Sequence, residues 1–172
     1  EYIAEPKLDG LAVELVYEKG IFQYGSTRGD GVIGEDITHN LKTIKGIPLS
    51  IKSKSVPKLL EIRGEVFINH FEFKILNEKQ MKSNKAVFAN PRNCAAGSLR
   101  QLDPSITKSR PLRIFCYAPG EIQGMTFKNQ ITFLEQIKKW GFPVNSHIQI
   151  GKGLSFLKKY YKSAEKLREN LL

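Results

Sequence analysis

Leu11, Val13, Leu15 and Tyr17 alternate with Ala12, Glu14 and Val16, the period-two pattern of a half-buried strand. Lys19-Gly20 follows as a hairpin turn, and Ile21–Ser26 returns as a second strand. Thr27–Glu35 carries three glycines and reads as loop, with a short helix expected from Asp36 to Ile44. Leu60, Ile62, Gly64, Val66 and Ile68 alternate with Glu61, Arg63, Glu65 and Phe67, a strand with one apolar and one largely polar face. Asn69, with Glu72 three residues on, has the spacing of a helix cap and predicts a helix to about Lys82. Asn93–Leu102 is rich in small residues and predicts a further helix. Leu112, Ile114, Cys116 and Ala118 form one face of another strand, with Arg113, Phe115 and Tyr117 opposite. Phe127, Ile131, Leu134 and Ile137 stand at helical spacing before a stop at Gly141, and are read as ordinary core. Val144–Ile150 predicts a strand, and Leu154, Leu157, Tyr161, Ala164 and Leu171 a last amphipathic helix. A hairpin followed by mixed strands and helices, without regular β-α-β alternation, predicts an α+β fold with mainly antiparallel sheets.

Composition changes this picture little, and charge changes it more. The 172 residues are 41% hydrophobic and 26% charged, ordinary for a folded domain. No run approaches the roughly 18 apolar residues of a membrane span, so no transmembrane role is expected. Residue 1 is Glu and opens directly onto the strand-like Tyr2-Ile3-Ala4, so the chain reads as an excised piece of something longer. Lys and Arg number 27 against 17 Asp and Glu, a formal charge of +10 that favours a polyanionic partner: nucleic acid, nucleotide phosphate or an anionic membrane. Cys94 and Cys116 form no C-x-x-C pair and fit reduced thiols in the cytoplasm. His39, His70 and His147 lack metal-ligand spacing, so no zinc site is expected.

Chemistry concentrates in the first ten residues. In an extended strand, Glu5, Lys7 and Asp9 share one face while Ala4 and Leu8 share the other. Pro6 donates no ladder hydrogen bond, so this strand should lie at an edge or end there. Gly10 lets the backbone approach something closely. A lysine between two carboxylates is either a surface ion-pair ladder of small energy or a nucleophile held in a site. Neighbouring carboxylates favour the ammonium form, which does not attack. A nucleophilic Lys7 therefore needs desolvation, nearby cations or a bound metal ion. Arg28, Arg92 and Arg100 are the candidate cations.

Five segments stand in order: A-E-P-K-L-D-G at Ala4–Gly10, S-T-R-G-D-G-V-I-G-E-D-I-T at Ser26–Thr38, I-R-G-E-V-F at Ile62–Phe67, F-A-N-P-R-N-C-A-A-G-S-L-R-Q-L-D at Phe88–Asp103, and F-C-Y at Phe115–Tyr117. Together they resemble the adenylation domain of bacterial NAD⁺-dependent DNA ligases over nearly the whole chain. The resemblance implies a nucleotidyltransferase (ATP-grasp-like) adenylation domain, with residues 1–172 a partial domain truncated before its last strands. It implies that Lys7 attacks the α-phosphate of NAD⁺, releases nicotinamide mononucleotide and holds AMP as a phosphoramidate, AMP then passing to the 5′-phosphate of a DNA nick that the 3′-OH seals. Asp9 belongs with Lys7 in the nucleophile motif, near phosphate or metal. Glu5 is implied as an adenine contact, Arg28 as a ribose or nucleotide contact, and Tyr117 as the aromatic packed on adenine. Glu65 is implied to bind ribose hydroxyls or support a metal, and Arg92 and Arg100 to handle nucleotide or DNA phosphates. Mg²⁺ is the implied metal, with Asp9 and Glu65 as candidate contacts.

The implied partners are nicked double-stranded DNA and the rest of a ligase chain: a nicotinamide-binding N-terminal module and C-terminal DNA-binding domains. The implied setting is a cytoplasmic monomer. The family's I-D-G-x-V-x-K strand and later K-x-K segment do not occur here, so the isolated chain is expected not to seal nicks; Arg168 resembles a basic residue just before that strand. From the residues alone, Glu65 reads as an ion-pair partner for Arg63, Tyr117 as a core aromatic, R-G-D-G as a plain turn, and Arg92 and Arg100 as solvated surface; the five segments in order are what favour the site roles. Two other functions compete: an ATP-dependent ligase or RNA-capping guanylyltransferase sharing K-x-D-G, against which the Asn90–Gln101 segment argues, and a non-catalytic basic nucleic-acid-binding module.

Overall fold

The computed structural model describes residues 1–169. Its elements, in chain order, are β1 (Tyr2–Ala4), β2 (Leu11–Glu18), β3 (Ile21–Thr27), α1 (Thr38–Leu41), β4 (Leu59–Phe67), α2 (His70–Lys82), α3 (Pro91–Leu99), α4 (Pro104–Lys108), β5 (Arg113–Gln123), α5 (Gln130–Lys139), β6 (Gln149–Gly151) and α6 (Gly153–Glu169). They fall into two compact units, one of residues 9–144 and one joining residues 1–8 to the segment from Asn145 onward. No helix of the described residues is long and apolar enough to cross a membrane.

The larger unit is built on an antiparallel sheet ordered β3-β2-β4-β5. Lys19 and Gly20 join β2 to β3 with φ of 48° and 79°, the paired positive values that a type I′ turn requires. Leu15, Tyr17, Leu60, Ile62, Val66, Ile114 and Cys116 are buried on one side of the sheet. Helices α1, α3 and α5 contact the strands. Tyr17 anchors this core: its ring lies 5.2 Å from both Phe22 and Phe142, and its hydroxyl donates to the Pro48 carbonyl at 2.8 Å. The other face follows from the register, which sets Glu14 opposite Arg63, and Glu65 opposite both Ala12 and Phe115. It is the polar face the alternation predicts, and it carries the candidate site.

In the smaller unit β1 pairs antiparallel with β6, Tyr2 opposite Gly151 and Ala4 opposite Gln149. The Tyr160 hydroxyl of α6 donates to the His147 carbonyl at 3.1 Å. A hollow of about 370 Å³ lies among Pro6, His147, Gln149, Tyr160 and Ala164.

Several expectations need correction. The extended strand meant to align Glu5, Lys7 and Asp9 stops at Ala4, and residues 5–9 have no regular structure. Pro6 has no N–H to continue the ladder. The strand expected over Val144–Ile150 is cut to Gln149–Gly151, because the Asn145 side chain accepts from the His147 N–H and closes a local turn. Phe127 lies before α5, which starts under an Asn129–Thr132 capping box, and its ring meets Phe133 and Trp140 edge-on from outside the helix. Helix α4 was not expected; Asp103 caps it through the Ser105 N–H, with Pro104 in its first turn. The helix read as Asn93–Leu102 runs from Pro91 to Leu99. Leu171 lies outside the described residues.

Candidate nucleotide site

Gly10 and Glu65 form the innermost part of the site. The Gly10 N–H donates to Glu65 Oε1 at 2.9 Å, a buried contact across 55 residues. A Cβ on Gly10 would fall 2.1 Å from the Val66 carbonyl oxygen, so only glycine lets the chain leave the K-L-D-G motif this close to β4. Glu65 is 9% exposed and therefore does not sit on an open polar strip as the alternation alone suggests. Such a carboxylate needs donors, and Gly10 supplies one.

Asp9 is exposed and forms an ion pair with Arg92, Nη1 to Oδ1 at 3.0 Å. The N-P-R-N sequence explains where Arg92 stands. The Asn90 side chain accepts from the Asn93 N–H at 2.7 Å, Pro91 fills the first turn of α3, and Arg92 follows it. Arg100, at the other end of α3, pairs with Glu35 at 2.6 Å. A buried polar network fixes this helix. The Asn40 amide donates to the Leu99 and Gln101 carbonyls at 2.6 and 2.9 Å, and the single Thr107 hydroxyl proton is shared between the Ser98 carbonyl at 2.8 Å and Asn40 Oδ1 at 3.0 Å.

Arg28 and Tyr117 meet in one cleft of about 220 Å³, lined also by Ala12, Glu14, Val32 and Arg63. That is below the roughly 300–1,000 Å³ of pockets that enclose drug-sized ligands, and suits a flat heterocycle better than a whole dinucleotide. Tyr117 is half-buried and is not a core residue. The register of β4 with β5 shifts here: Gly64 faces Cys116 and Arg63 faces Ala118, so Tyr117 is the extra residue of a bulge. Outside the ladder, its carbonyl accepts from the Gln130 side-chain amide. Burial raises its phenol above the ordinary value; the Glu65 charge adds to this and the Arg28 and Arg63 charges oppose it. The ring's hydroxyl therefore lies within electrostatic reach of two guanidiniums and one carboxylate.

Glu5 and Lys7 belong to the smaller unit. Lys7 is exposed and Glu5 half-buried. Burial raises the Tyr160 phenol and the Glu5 charge adds to the effect, placing Glu5 near α6. Sequence reasoning did not nominate Glu14, Arg63 or Val32 as site residues, yet all three line the cleft. The signal was present for Arg63, two residues before Glu65 on the same strand face. No group of three His, Cys, Asp or Glu side chains able to hold a metal ion occurs among the described residues. Asp9 and Glu65 thus do not make a protein cage for Mg²⁺, an ion that commonly binds through one or two carboxylates plus substrate phosphates.

Comparison with known proteins fits this arrangement. Residues 1–172 match the family model described as the NAD-dependent DNA ligase adenylation domain. A DNA ligase of Geobacter sulfurreducens is 54% identical over 99% of this chain and 26% of its own length. A DNA ligase of Thermodesulfovibrio yellowstonii is 51% identical over 98% of the chain and 25% of its own. A DNA ligase of Ectopseudomonas mendocina is 47% identical, covering 99% and 22%. The chain spans about a quarter of the length of these curated relatives. With its antiparallel sheets, its K-L-D-G segment and the cleft beside β4, this chain belongs to the family of NAD-dependent DNA ligase adenylation domains.

Proposed function

We propose that this chain is the adenylate-accepting part of an NAD⁺-dependent DNA ligase, with Lys7 as the nucleophile. The free amine of Lys7 attacks the α-phosphorus of NAD⁺. A nitrogen–phosphorus bond forms, the bond to nicotinamide mononucleotide breaks, and the amine's proton leaves to water. AMP then passes from Lys7 to the 5′-phosphate at a DNA nick, freeing the lysine, and the 3′-OH attacks that phosphate, closing the phosphodiester bond and releasing AMP. In a transfer of this kind, positioning and charge neutralisation supply most of the acceleration.

The observation that carries this reading is the cleft that holds Tyr117 with Arg28. A ring stacked on a base contributes about 1–3 kcal/mol, and the guanidinium's planar fork suits phosphate or ribose oxygens. Glu65 orders the segment after the nucleophile motif by accepting from the Gly10 N–H. Lys7 precedes Gly10 by three residues in that same motif. Arg92 and Arg100 serve nucleotide or DNA phosphates in exchange for Asp9 and Glu35, and Glu5 serves the adenine. Mg²⁺, when present, would neutralise phosphate charge and be held mainly by the nucleotide, with Asp9 the exposed carboxylate available to it. The remaining partners in this reading are nicked DNA and further ligase domains, with the work done in the cytoplasm by a monomer.

The direct test is the intact mass of the full-length protein after incubation with NAD⁺ and Mg²⁺, wild type beside Lys7→Ala. One AMP gained by wild type alone is the expected result. A gain from ATP or GTP but not NAD⁺ would move the protein to a sister family, and no adduct with any nucleotide would favour a plain binding module. The isolated 172-residue chain should not close a nicked duplex; detectable closure would overturn that part.

A further inference from the structure

Arg63 and Glu14 face each other across β2 and β4, and both line the cleft that holds Arg28 and Tyr117. Their ion pair runs from Arg63 Nε to Glu14 Oε1 at 3.3 Å, with the Arg63 side chain 57% and the Glu14 side chain 31% exposed. At that length and exposure the pair adds little to stability, so fold stability alone does not account for a guanidinium at this place. Glu14 engages Nε, and the two Nη groups are the part of the fork that can meet an anion. Arg63 also lies close enough to the Tyr117 hydroxyl for its charge to act there alongside that of Arg28. Two guanidiniums thus converge on one small cleft, with Glu14 partly offsetting one of them.

We propose that Arg63 is a second phosphate-binding cation of the nucleotide cleft, and that Glu14 is the competitor for its guanidinium, the nucleotide's phosphate displacing the carboxylate. The inference rests on the cleft being the nucleotide site. The displacement makes the two side chains act with opposite signs. Removing Arg63 loses a contact with the phosphate; removing the Glu14 charge loses a rival for the same fork and a repulsion toward the same anion. A pair that merely held β2 against β4 would give losses of the same sign from either side.

The experiment uses the full-length protein and follows AMP transfer to it over a range of NAD⁺ concentrations. Wild type, Arg63→Ala, Arg63→Met and Glu14→Gln are compared, with sealing of a pre-adenylylated nick measured in parallel and melting temperatures recorded. Arg63→Met keeps the aliphatic stem should the alanine variant fold poorly. The expected result is a rise of about tenfold in the NAD⁺ concentration for half-maximal transfer in the Arg63 variants, the size of one charge-assisted contact. Glu14→Gln should shift it the other way, and the effect of the Arg63 variants should be seen in AMP transfer from NAD⁺ and not in nick sealing alone. Equal losses from Glu14→Gln and Arg63→Met would make the pair structural and overturn the inference. So would unchanged NAD⁺ dependence, or a loss confined to nick sealing, which would point the guanidinium at DNA instead. A wild type that takes no AMP from NAD⁺ would fail the nucleotide reading itself, and this inference with it.

Discussion

Gly10 shows how much a single residue can decide here. Its N–H is held by the buried Glu65 carboxylate, and its missing side chain makes room for the Val66 carbonyl. Gly10→Ala would force a Cβ to 2.1 Å from that oxygen and push β2 off β4 at the point where the nucleophile motif ends. The expected cost is about 1–3 kcal/mol, read as a lower denaturant midpoint in urea; a midpoint equal to wild type would mean the chain relaxes there freely. Tyr117 makes the complementary point. Its ring reaches the cleft as the extra residue of a bulge, and its carbonyl is retained by Gln130. Alternation along the strand gave the correct side for Tyr117, but no local pattern announces the bulge, because it depends on the register with β4.

At the scale of elements, helix α3 links sequence to site most directly. Asn90 caps it, Pro91 opens it, and Arg92 and Arg100 mark its two ends. Asn90→Ala should cost about 1 kcal/mol through the lost cap, measurable by chemical denaturation, and should loosen the Arg92–Asp9 pair. The hairpin, β4 and the Asn69-capped α2 were legible because alternation, turn chemistry and caps are all written within a few neighbouring residues. Elements whose limits depend on distant partners were not. The run over Val144–Ile150 looked like a strand, but β1 offers only three residues to pair with. Glu5, Lys7 and Asp9 seemed to share a strand face, but that strand ends at Ala4. Glu65 was expected as a polar-face residue, and its burial came from the return of Gly10 from far away in sequence. Asn40, which helps secure α3, sits in a segment that reads as a short helix, and its partner Thr107 in one for which the sequence predicts no element. Only their contact in space shows a polar network, and a sequence pattern carries no trace of it.

At the scale of the whole molecule, the core holds Cys94, Cys116 and Tyr17, acids whose ionisation burial resists. Burial pushes the Cys116 thiol from 9.0 up to about 12. Burial also raises the Tyr17 phenol, and the Cys116 charge adds to this. The folded chain therefore keeps protons that the unfolded chain gives up between about pH 9 and 12. Stability should be fully present below about pH 9 and fall as the pH climbs toward 12. Denaturant midpoints across that range test this, and Cys116→Ala should flatten the decline; a midpoint constant to pH 11 would contradict it. The two cysteines are both buried, which keeps them from ready oxidation. The pairing of β1 with β6 has a consequence for how the protein is made. Tyr2 and Ile3 pair with Gly151 and Ile150, across the whole of the residue 9–144 unit in sequence. On the ribosome, the segment bearing Lys7 emerges before β6 and waits for that strand partner until the residues between them have been translated, on the order of ten seconds at common elongation rates. The sheet of residues 9–144 can close in the meantime. The lysine proposed to carry AMP is thus synthesised before the sheet of residues 9–144 yet gains its strand partner only after it, so a nascent chain interrupted before Gln149 would carry the nucleophile without the strand that anchors it.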